Sequence, residues 1–502
     1  MSKGATRMDF LVCVDTTAVR LPDRERKELI EREWIRGREL HAGGFLRKAW
    51  SLPGQKANVG IWSARDPDQL TEALQSLPIW PLITLEVTRL ATHPLFAEMA
   101  REGMEMSSSL AIRRSYQATM SFQRIWTAAE SGRWSFMNHP ILFTPMQIGN
   151  LKLANRIVIA PMAQYSSEDG QMNDWHLMHL GQLANSGAGL LTIEGTAVSP
   201  EGRTTYADVG LYSEESEASM ARVLLGVRRW SDIRVGIQIN HAGRKGSRQK
   251  MWDGGSQIPP GQPNGWKTYA PSPIAFAASD TPPVALDRDS LAAIRNAFAA
   301  ATRRASRLGL DFIEILGGHG YLIHQFLSPL SNRRDDEYGG SLENRMRFPL
   351  EVFETVRAAF APERPVTMRV SGTDWVEGGW SIEETIAFVQ ALQARGAAAI
   401  NVSSGGLSPS AQIPVGPGYQ LPLARAVKQA TTLPVIAVGL ITDFEQAESI
   451  LRSGDADLIA LARAMLYDPR WPWHAAAHFG TQITAPKQYL RSQPSGLRNL
   501  FA

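Results

Sequence analysis

The sequence predicts an α/β chain: an eight-stranded (β/α)8 TIM barrel preceded by a small α+β domain of ferredoxin-like order. Three observations carry this. Eight short apolar runs alternate with helical patterns over about 350 residues, which fits a closed parallel barrel with insertions. No Gly-x-Gly-x-x-Gly follows the first of those runs; Ala160-Pro-Met-Ala163 stands there instead, against a doubly wound open sheet. The first ninety or so residues read strand, helix, strand, strand, helix, strand, the ferredoxin-like order.

The first domain spans 8–94. Asp9-Phe-Leu-Val-Cys-Val-Asp15 clusters apolar and β-branched residues and reads as a strand. Residues 23–41 are charged, with apolar side chains at helical spacing, and Gly43-Gly44 ends that helix. Residues 46–50 and 57–62 read as paired strands around the turn-forming Pro53-Gly54. Residues 66–76 read as a second helix. Asp66 is its N-cap, and Pro67 takes the first helical position, where a missing N–H does no harm. Residues 84–90 make the last strand. A linker or packing arm follows at 95–137, with the run Ser107-Ser108-Ser109 and a helical pattern at 113–127.

The barrel domain, 138–495, has strand candidates at 156–162, 189–198, 235–239, 312–316, 366–371, 398–403, 435–439 and 458–462. Helical patterns separate most of them, for example at 291–308, 381–394 and 443–453.

Composition narrows the partners. A chain of 502 residues with 44% apolar and 20% charged residues can bury large cores without staples. A formal net charge of +3 gives no reason to expect a nucleic-acid partner. The single cysteine, Cys13, rules out an internal disulfide framework and fits a cytoplasmic location. No signal peptide and no apolar run long enough to span a bilayer is read, so no membrane partner is expected. No metal site is expected either.

In such barrels the chemistry sits at the C-terminal ends of the strands. The first candidate strand runs into Ala160-Pro-Met-Ala-Gln-Tyr165, and the third ends Gln238-Ile-Asn-His-Ala-Gly-Arg-Lys245. The fourth runs into Ile315-Leu-Gly-Gly-His-Gly-Tyr-Leu-Ile-His324, followed by Tyr338-Gly-Gly-Ser-Leu-Glu-Asn-Arg345. The fifth carries Arg369, the seventh ends at Gly439, and the eighth runs into Ala462-Arg463.

These stretches resemble the old yellow enzyme family, in particular its shorter, thermophilic-like bacterial branch, over nearly all of 142–491. The fourth-strand segment and its Tyr-Gly-Gly-Ser tail are the most specific part. The resemblance implies FMN at the barrel mouth, NADPH or NADH as hydride donor, and a homo-oligomer. It implies reduction of an activated C=C bond in a small unsaturated carbonyl or lactone. It further implies that His319 holds the carbonyl oxygen and Tyr321 protonates the α-carbon. Pro161, Met162, Ala163 and Gly195 would face the cofactor, and Tyr165, Asn240 and Leu316 would line the substrate pocket. Arg491, near the C-terminus, would reach into a neighbouring subunit's site. The sequence departs from the family pattern at three positions. Leu316 replaces the first histidine of the oxygen-holding pair, Ala163 a cysteine, and Ala462 a glycine.

The residue chemistry points the same way. Gln238 is a neutral donor and acceptor suited to the pyrimidine edge of a flavin. Arg369 offers a permanent positive charge where that ring system gathers negative charge. Gly439 lets backbone N–H groups approach a phosphate, with Arg463 and Ala462 beside it. Singly, Gln238 or Arg369 would read as part of a core polar network; jointly, at matching strand ends, they favour a cofactor. A phenol is a sensible acid for a short-lived enolate, since its pKa lies near 10. His241, Lys245 and His324 read as structural. Alternation along strands puts Asn240 on the inward face with Gln238, and Leu316 with Glu314. Asn240 is therefore expected beside Leu316, either as a replacement oxygen anchor or bonded only to backbone, which would leave the pocket one donor.

The first domain resembles muconolactone isomerase, on the stretch Ser76-Leu-Pro-Ile-Trp-Pro-Leu-Ile-Thr-Leu-Glu-Val-Thr-Arg89 and on Ala57-Asn58. Lys48, Ser51 and Lys56 stand where that family has histidine, arginine and tyrosine; Glu33 remains as a carboxylate. A non-catalytic assembly role is therefore favoured. The fusion keeps one alternative for the whole chain, a redox-neutral flavin-dependent isomerase of unsaturated lactones or ring-cleavage products.

Overall fold

Ladder pairing of short apolar runs builds both units of this chain. The computed structural model describes residues 8–15, 23–51, 57–80, 84–89, 140–497 and 499–502. The expected linker at 95–137, its helix at 113–127, and Lys56 lie outside the described residues. The chain divides into two compact units, Met1–Ser131 and Gly132–Ala502.

The first unit is a four-stranded antiparallel sheet in the order β2-β3-β1-β4. Its strands are β1 (Met8–Asp15), β2 (Leu46–Ser51), β3 (Ala57–Ala64) and β4 (Thr84–Arg89). Two helices, Asp23–Ala42 and Pro67–Gln75, make the crossovers. The Asp66 side chain accepts from Gln69 N and caps the second helix, with proline in its first turn. Phe10, Val12, Trp62, Leu70 and Leu74 form the buried core.

The second unit is a closed barrel of eight parallel strands. Before it stands a hairpin, β5 (Met146–Ile148) and β6 (Leu151–Leu153). The barrel begins with β7 (Ile157–Ile159), β8 (Leu190–Ala197) and β9 (Arg234–Asn240). A small pair, β10 (Tyr269–Ala270) and β11 (Val284–Ala285), sits in the insertion after β9. Then come β12 (Phe312–Gly317), β13 (Val366–Ser371), β14 (Ile400–Ser403), β15 (Val435–Ala437) and β16 (Leu458–Leu461). No helix among the described residues is long and apolar enough to cross a membrane.

The barrel interior changes character along its axis. Near the N-terminal ends of the strands it is apolar: Val158, Leu190, Phe312, Ala399, Ile436 and Leu458 pack with Ile148, Leu151 and Leu153 of the hairpin. Two residues further along, the same inward positions hold Gln238, Glu314 and Asn401, all buried. Gly236 marks the changeover. A Cβ there would lie 1.8 Å from Phe312 ring carbons, so the strand needs glycine for the ring to fit. Gly236→Ala is expected to cost about 1–3 kcal/mol by overpacking. Thermal unfolding checks this, and an unchanged midpoint would contradict it.

A candidate active site at the barrel mouth

Past β12 the backbone turns sharply. His319 sits at φ 55 and Gly320 at φ 73, in the left-handed region that side chains other than glycine rarely adopt. Gly320 has no room for a side chain: a Cβ would lie 2.2 Å from Gly406 O. Such strain costs on the order of 1–3 kcal/mol and persists only where surrounding contacts over-determine it. They do so here. His319 N donates to Ser371 Oγ (2.9 Å), and Lys245 Nζ donates to His319 O (2.8 Å) and Gly406 O (2.9 Å). Gly320 N donates to His324 Nδ1 (2.9 Å), and Gln325 Nε2 donates to Gly320 O (2.7 Å). His324 and Lys245 are thus structural supports of this turn. His241 braces the segment that follows through its backbone, its O accepting from Leu322 N (2.9 Å), while its Nδ1 accepts from Gly243 N (3.0 Å).

The turn presents His319 and Tyr321. Burial, with Arg369, Lys245 and His324 nearby, holds the His319 imidazole well below its ordinary pKa. It is therefore neutral at pH 7, with one N–H to donate. The Tyr321 hydroxyl lies 3.0 Å from Thr204 Oγ1. Burial and the Asp208 carboxylate push the phenol above its usual value, against the Thr204 hydrogen bond. It stays protonated across the physiological range.

Below the turn is a polar wall. Gln238 Nε2 donates to Glu314 Oε1 (2.7 Å), and Asn401 Nδ2 donates to Glu314 Oε2 (2.9 Å). Burial raises the Glu314 pKa, while Arg369 and the two amides oppose that. Glu314 pairs in register with Gln238, and Leu316 pairs with Arg369, which puts Leu316 one inward step above Glu314, level with Asn240. A register shift in β8 between Ile193 and Thr196 brings Gly195 to this wall. A Cβ on it would lie 3.3 Å from Asn240 Oδ1 and 3.4 Å from Gln238 Oε1. Three buried atoms here, Asn240 Oδ1, Arg369 Nε and Asn401 Oδ1, have no hydrogen-bond partner among the described residues. Buried polar atoms are nearly always partnered, so these three are free to bond to a group bound here.

Most of the remaining expected residues follow the C-terminal ends of β7, β15 and β16. Pro161, Met162 and Ala163 follow directly on β7, which ends at Ile159 because Pro161 has no N–H for the ladder. Behind them Gln164 N donates to Glu194 Oε2 (2.8 Å), and burial pushes the Glu194 carboxyl up to about 8. Tyr165 is left-handed (φ 50) and meets Trp252 edge-on at 5.8 Å. Gly439 (φ 124) lies beyond β15, where a Cβ would come within 2.4 Å of Gln420 Nε2. Ala462 precedes the helix Arg463–Tyr467 on the adjacent β16, and Arg463 is exposed. Arg491 is exposed on the 3-10 stretch Lys487–Ser492.

Asn401, Ser371, Thr204 and Glu194 are not among the residues expected from the sequence, and Glu314 is expected only to face inward. Asn401 and Glu314 interrupt apolar strand runs at inward positions, a signal that was available. Thr204 gives none, because its partner Tyr321 is distant in sequence. In the first unit Glu33 Oε2 accepts from Ile79 N (3.1 Å), which ties the first helix to the segment after the second.

Comparison with known proteins agrees with this architecture. Residues 141–482 match the NADH:flavin oxidoreductase / NADH oxidase family, and residues 8–95 match muconolactone delta-isomerase. The NADPH dehydrogenase of Geobacillus sp. (strain WCH70) is 40% identical over 353 residues, covering 70% of this chain and 98% of its own. That of Bacillus subtilis (strain 168) is 39% identical over 352 residues, with the same two shares. Among solved structures, morphinone reductase superposes with a TM-score of 0.58 at 29% identity, over 70% of this chain and 92% of its own. A 2-naphthoyl-CoA reductase complex superposes at 0.61 with 25% identity, over 67% of this chain and 52% of its own. The chain belongs to the NADH:flavin oxidoreductase / NADH oxidase family, as an NAD(P)H-dependent FMN oxidoreductase of the old yellow enzyme type with a muconolactone isomerase-like domain ahead of its barrel.

Proposed function

We propose that the barrel reduces the activated C=C bond of a small unsaturated carbonyl or lactone. The observation that carries this is the His319–Tyr321 turn: a neutral imidazole donor on strained backbone and, two residues on, a phenol kept protonated, both above a polar wall. FMN fits that wall. Gln238, Asn401 and Arg369 would hold its polar edge, Pro161, Met162, Ala163 and the bare face of Gly195 its rings, and Gly439, Ala462 and Arg463 its phosphate. Bound there, FMN would supply hydride transfer from NADPH or NADH to the substrate.

The chain's own residues do the rest. His319 donates a hydrogen bond to the substrate oxygen, which draws electron density from the β-carbon and stabilises the oxyanion that develops. Tyr321 gives its proton to the α-carbon, with Thr204 orienting the hydroxyl. Leu316 can donate nothing, so a second anchor must come from elsewhere. Asn240 is level with it and has an unsatisfied amide oxygen; an amide turned the other way presents its N–H2.

If Asn240 is that anchor, Asn240→Ala should cost about 1–3 kcal/mol in kcat/KM for an unsaturated ketone, and Leu316→His should partly restore the double variant. Unchanged turnover in Asn240→Ala, or a large gain from Leu316→His alone, would remove Asn240 from the role. A homo-oligomer in the cytoplasm, with the exposed Arg491 entering a second copy's mouth, completes the proposal. The first unit serves assembly, since its surviving carboxylate, Glu33, is engaged by the backbone. The whole reading is tested by reducing the enzyme anaerobically and mixing it with unsaturated ketones and lactones. One saturated product per enzyme supports it. A migrated double bond with no net reduction would favour the isomerase reading.

A further inference from the structure

We propose that His324 and Asp374 form a buried positioning pair that locks one imidazole tautomer and thereby fixes the His319–Tyr321 turn. This rests on the roles given above to His319 and Tyr321. His324 and Asp374 are each 0% exposed, and neither takes part in the mechanism described. His324 Nδ1 accepts from Gly320 N at 2.9 Å. A ring nitrogen that accepts carries no proton, so in the neutral ring the proton is on Nε2. Nε2 lies 2.9 Å from Asp374 Oδ1. The approach is bent, so it acts more as charge–dipole attraction than as a linear hydrogen bond. The other carboxylate oxygen, Oδ2, is fixed by Ser328 Oγ (2.7 Å) and Trp380 N (2.8 Å). Asp374 therefore cannot swing away from the ring.

The opposite tautomer would set two N–H donors against each other at Gly320 and leave Asp374 facing a lone pair. Both neighbours thus select the same form. The consequence reaches the site through one peptide. Gly320 lies between His319 and Tyr321, and the carbonyls of His319 and Gly320 are held by Lys245 and Gln325. His324 holds the N–H. An amide oxygen on a side chain of similar reach could replace Nδ1 as acceptor; an apolar side chain could not. His324 and Asp374 are positioning residues, because they act through this turn.

The test uses the holoenzyme and its His324→Asn, His324→Leu and Asp374→Asn variants, beside Tyr321→Phe. With 15N-labelled histidine, the ring signal that vanishes in His324→Asn should be a neutral Nε2–H imidazole at pH 7. A protonated Nδ1 there would overturn the proposal, whatever the activities. In the half-reaction with an unsaturated ketone, His324→Leu should be slowed about tenfold or more and His324→Asn by no more than about threefold, while reduction by NADPH is spared in both. Equal losses in the Asn and Leu variants, or equal losses in both half-reactions, would overturn it. Should His324→Leu fail to fold, Asp374→Asn must shift the His324 ring 15N signals while the proton stays on Nε2, where Gly320 N still keeps it; unchanged signals, or a proton on Nδ1, would overturn the proposal. Tyr321→Phe separates the two layers. A normal half-reaction there sinks the proton-donor reading, while the tautomer result still decides the pair.

Discussion

Tyr321→Phe is expected to slow the half-reaction with an unsaturated substrate by on the order of a hundredfold or more, and to leave reduction by NADPH nearly unchanged. The proton is needed only where the α-carbon must be protonated. The substitution deletes one oxygen, bonded to Thr204 Oγ1, from a half-buried ring, so the fold has little reason to respond. Burial and Asp208 raise the phenol's pKa. The wild-type half-reaction should therefore keep its rate past pH 10, near which an ordinary phenol ionises. Stopped-flow measurement of each half-reaction checks both points. Equal slowing in both, or a fall with a midpoint well below 10, would count against the role.

Arg369→Met is expected to strip most of the cofactor and to weaken the fold. The guanidinium is buried at the polar wall with an unpartnered Nε, and it is the positive charge that opposes the raised pKa of Glu314. Losing a charged donor to a bound anionic edge costs about 1–3 kcal/mol, or roughly ten- to a hundredfold in FMN affinity. The fold should also lose stability over a pH range that extends further upward. The Glu314 pKa in the folded state is raised and would rise further without Arg369. A raised folded-state pKa gives stability that is present below the unfolded value and lost as pH rises through the folded one. Both proteins share the loss up to the pH at which wild-type Glu314 ionises; above that pH the variant should go on losing stability while wild type does not. Adding Glu314→Gln should remove that slope without restoring FMN. Flavin content and thermal unfolding at several pH values are the readouts. A fully flavinated variant with a wild-type pH profile would contradict the placement.

Much of this was legible in the sequence. Parallel strands buried on both faces read as continuous apolar runs, which is why 366–371 and 312–316 coincide with β13 and nearly with β12. The strand expected at 156–162 exceeds β7, because apolar character continues past the proline that ends pairing. The hairpin β5–β6 and the pair β10–β11 are not among the strands expected from the sequence. Strands of two or three residues are too short to show a period. At the site, alternation told which residues face inward but not what they meet there. That Glu314 is shared by Gln238 and Asn401 depends on stagger between three strands. That Thr204 touches Tyr321 depends on a loop path no local pattern encodes.

The most direct measurement is an anaerobic titration of the purified yellow protein, followed in the flavin's visible band. One equivalent of NADPH or NADH per FMN should bleach it. One equivalent of an unsaturated ketone or lactone should then restore the colour and yield one equivalent of the saturated product. A protein that releases no FMN on denaturation, or a bleached enzyme whose colour no unsaturated carbonyl or lactone restores, would contradict the assignment of this barrel as a C=C reductase.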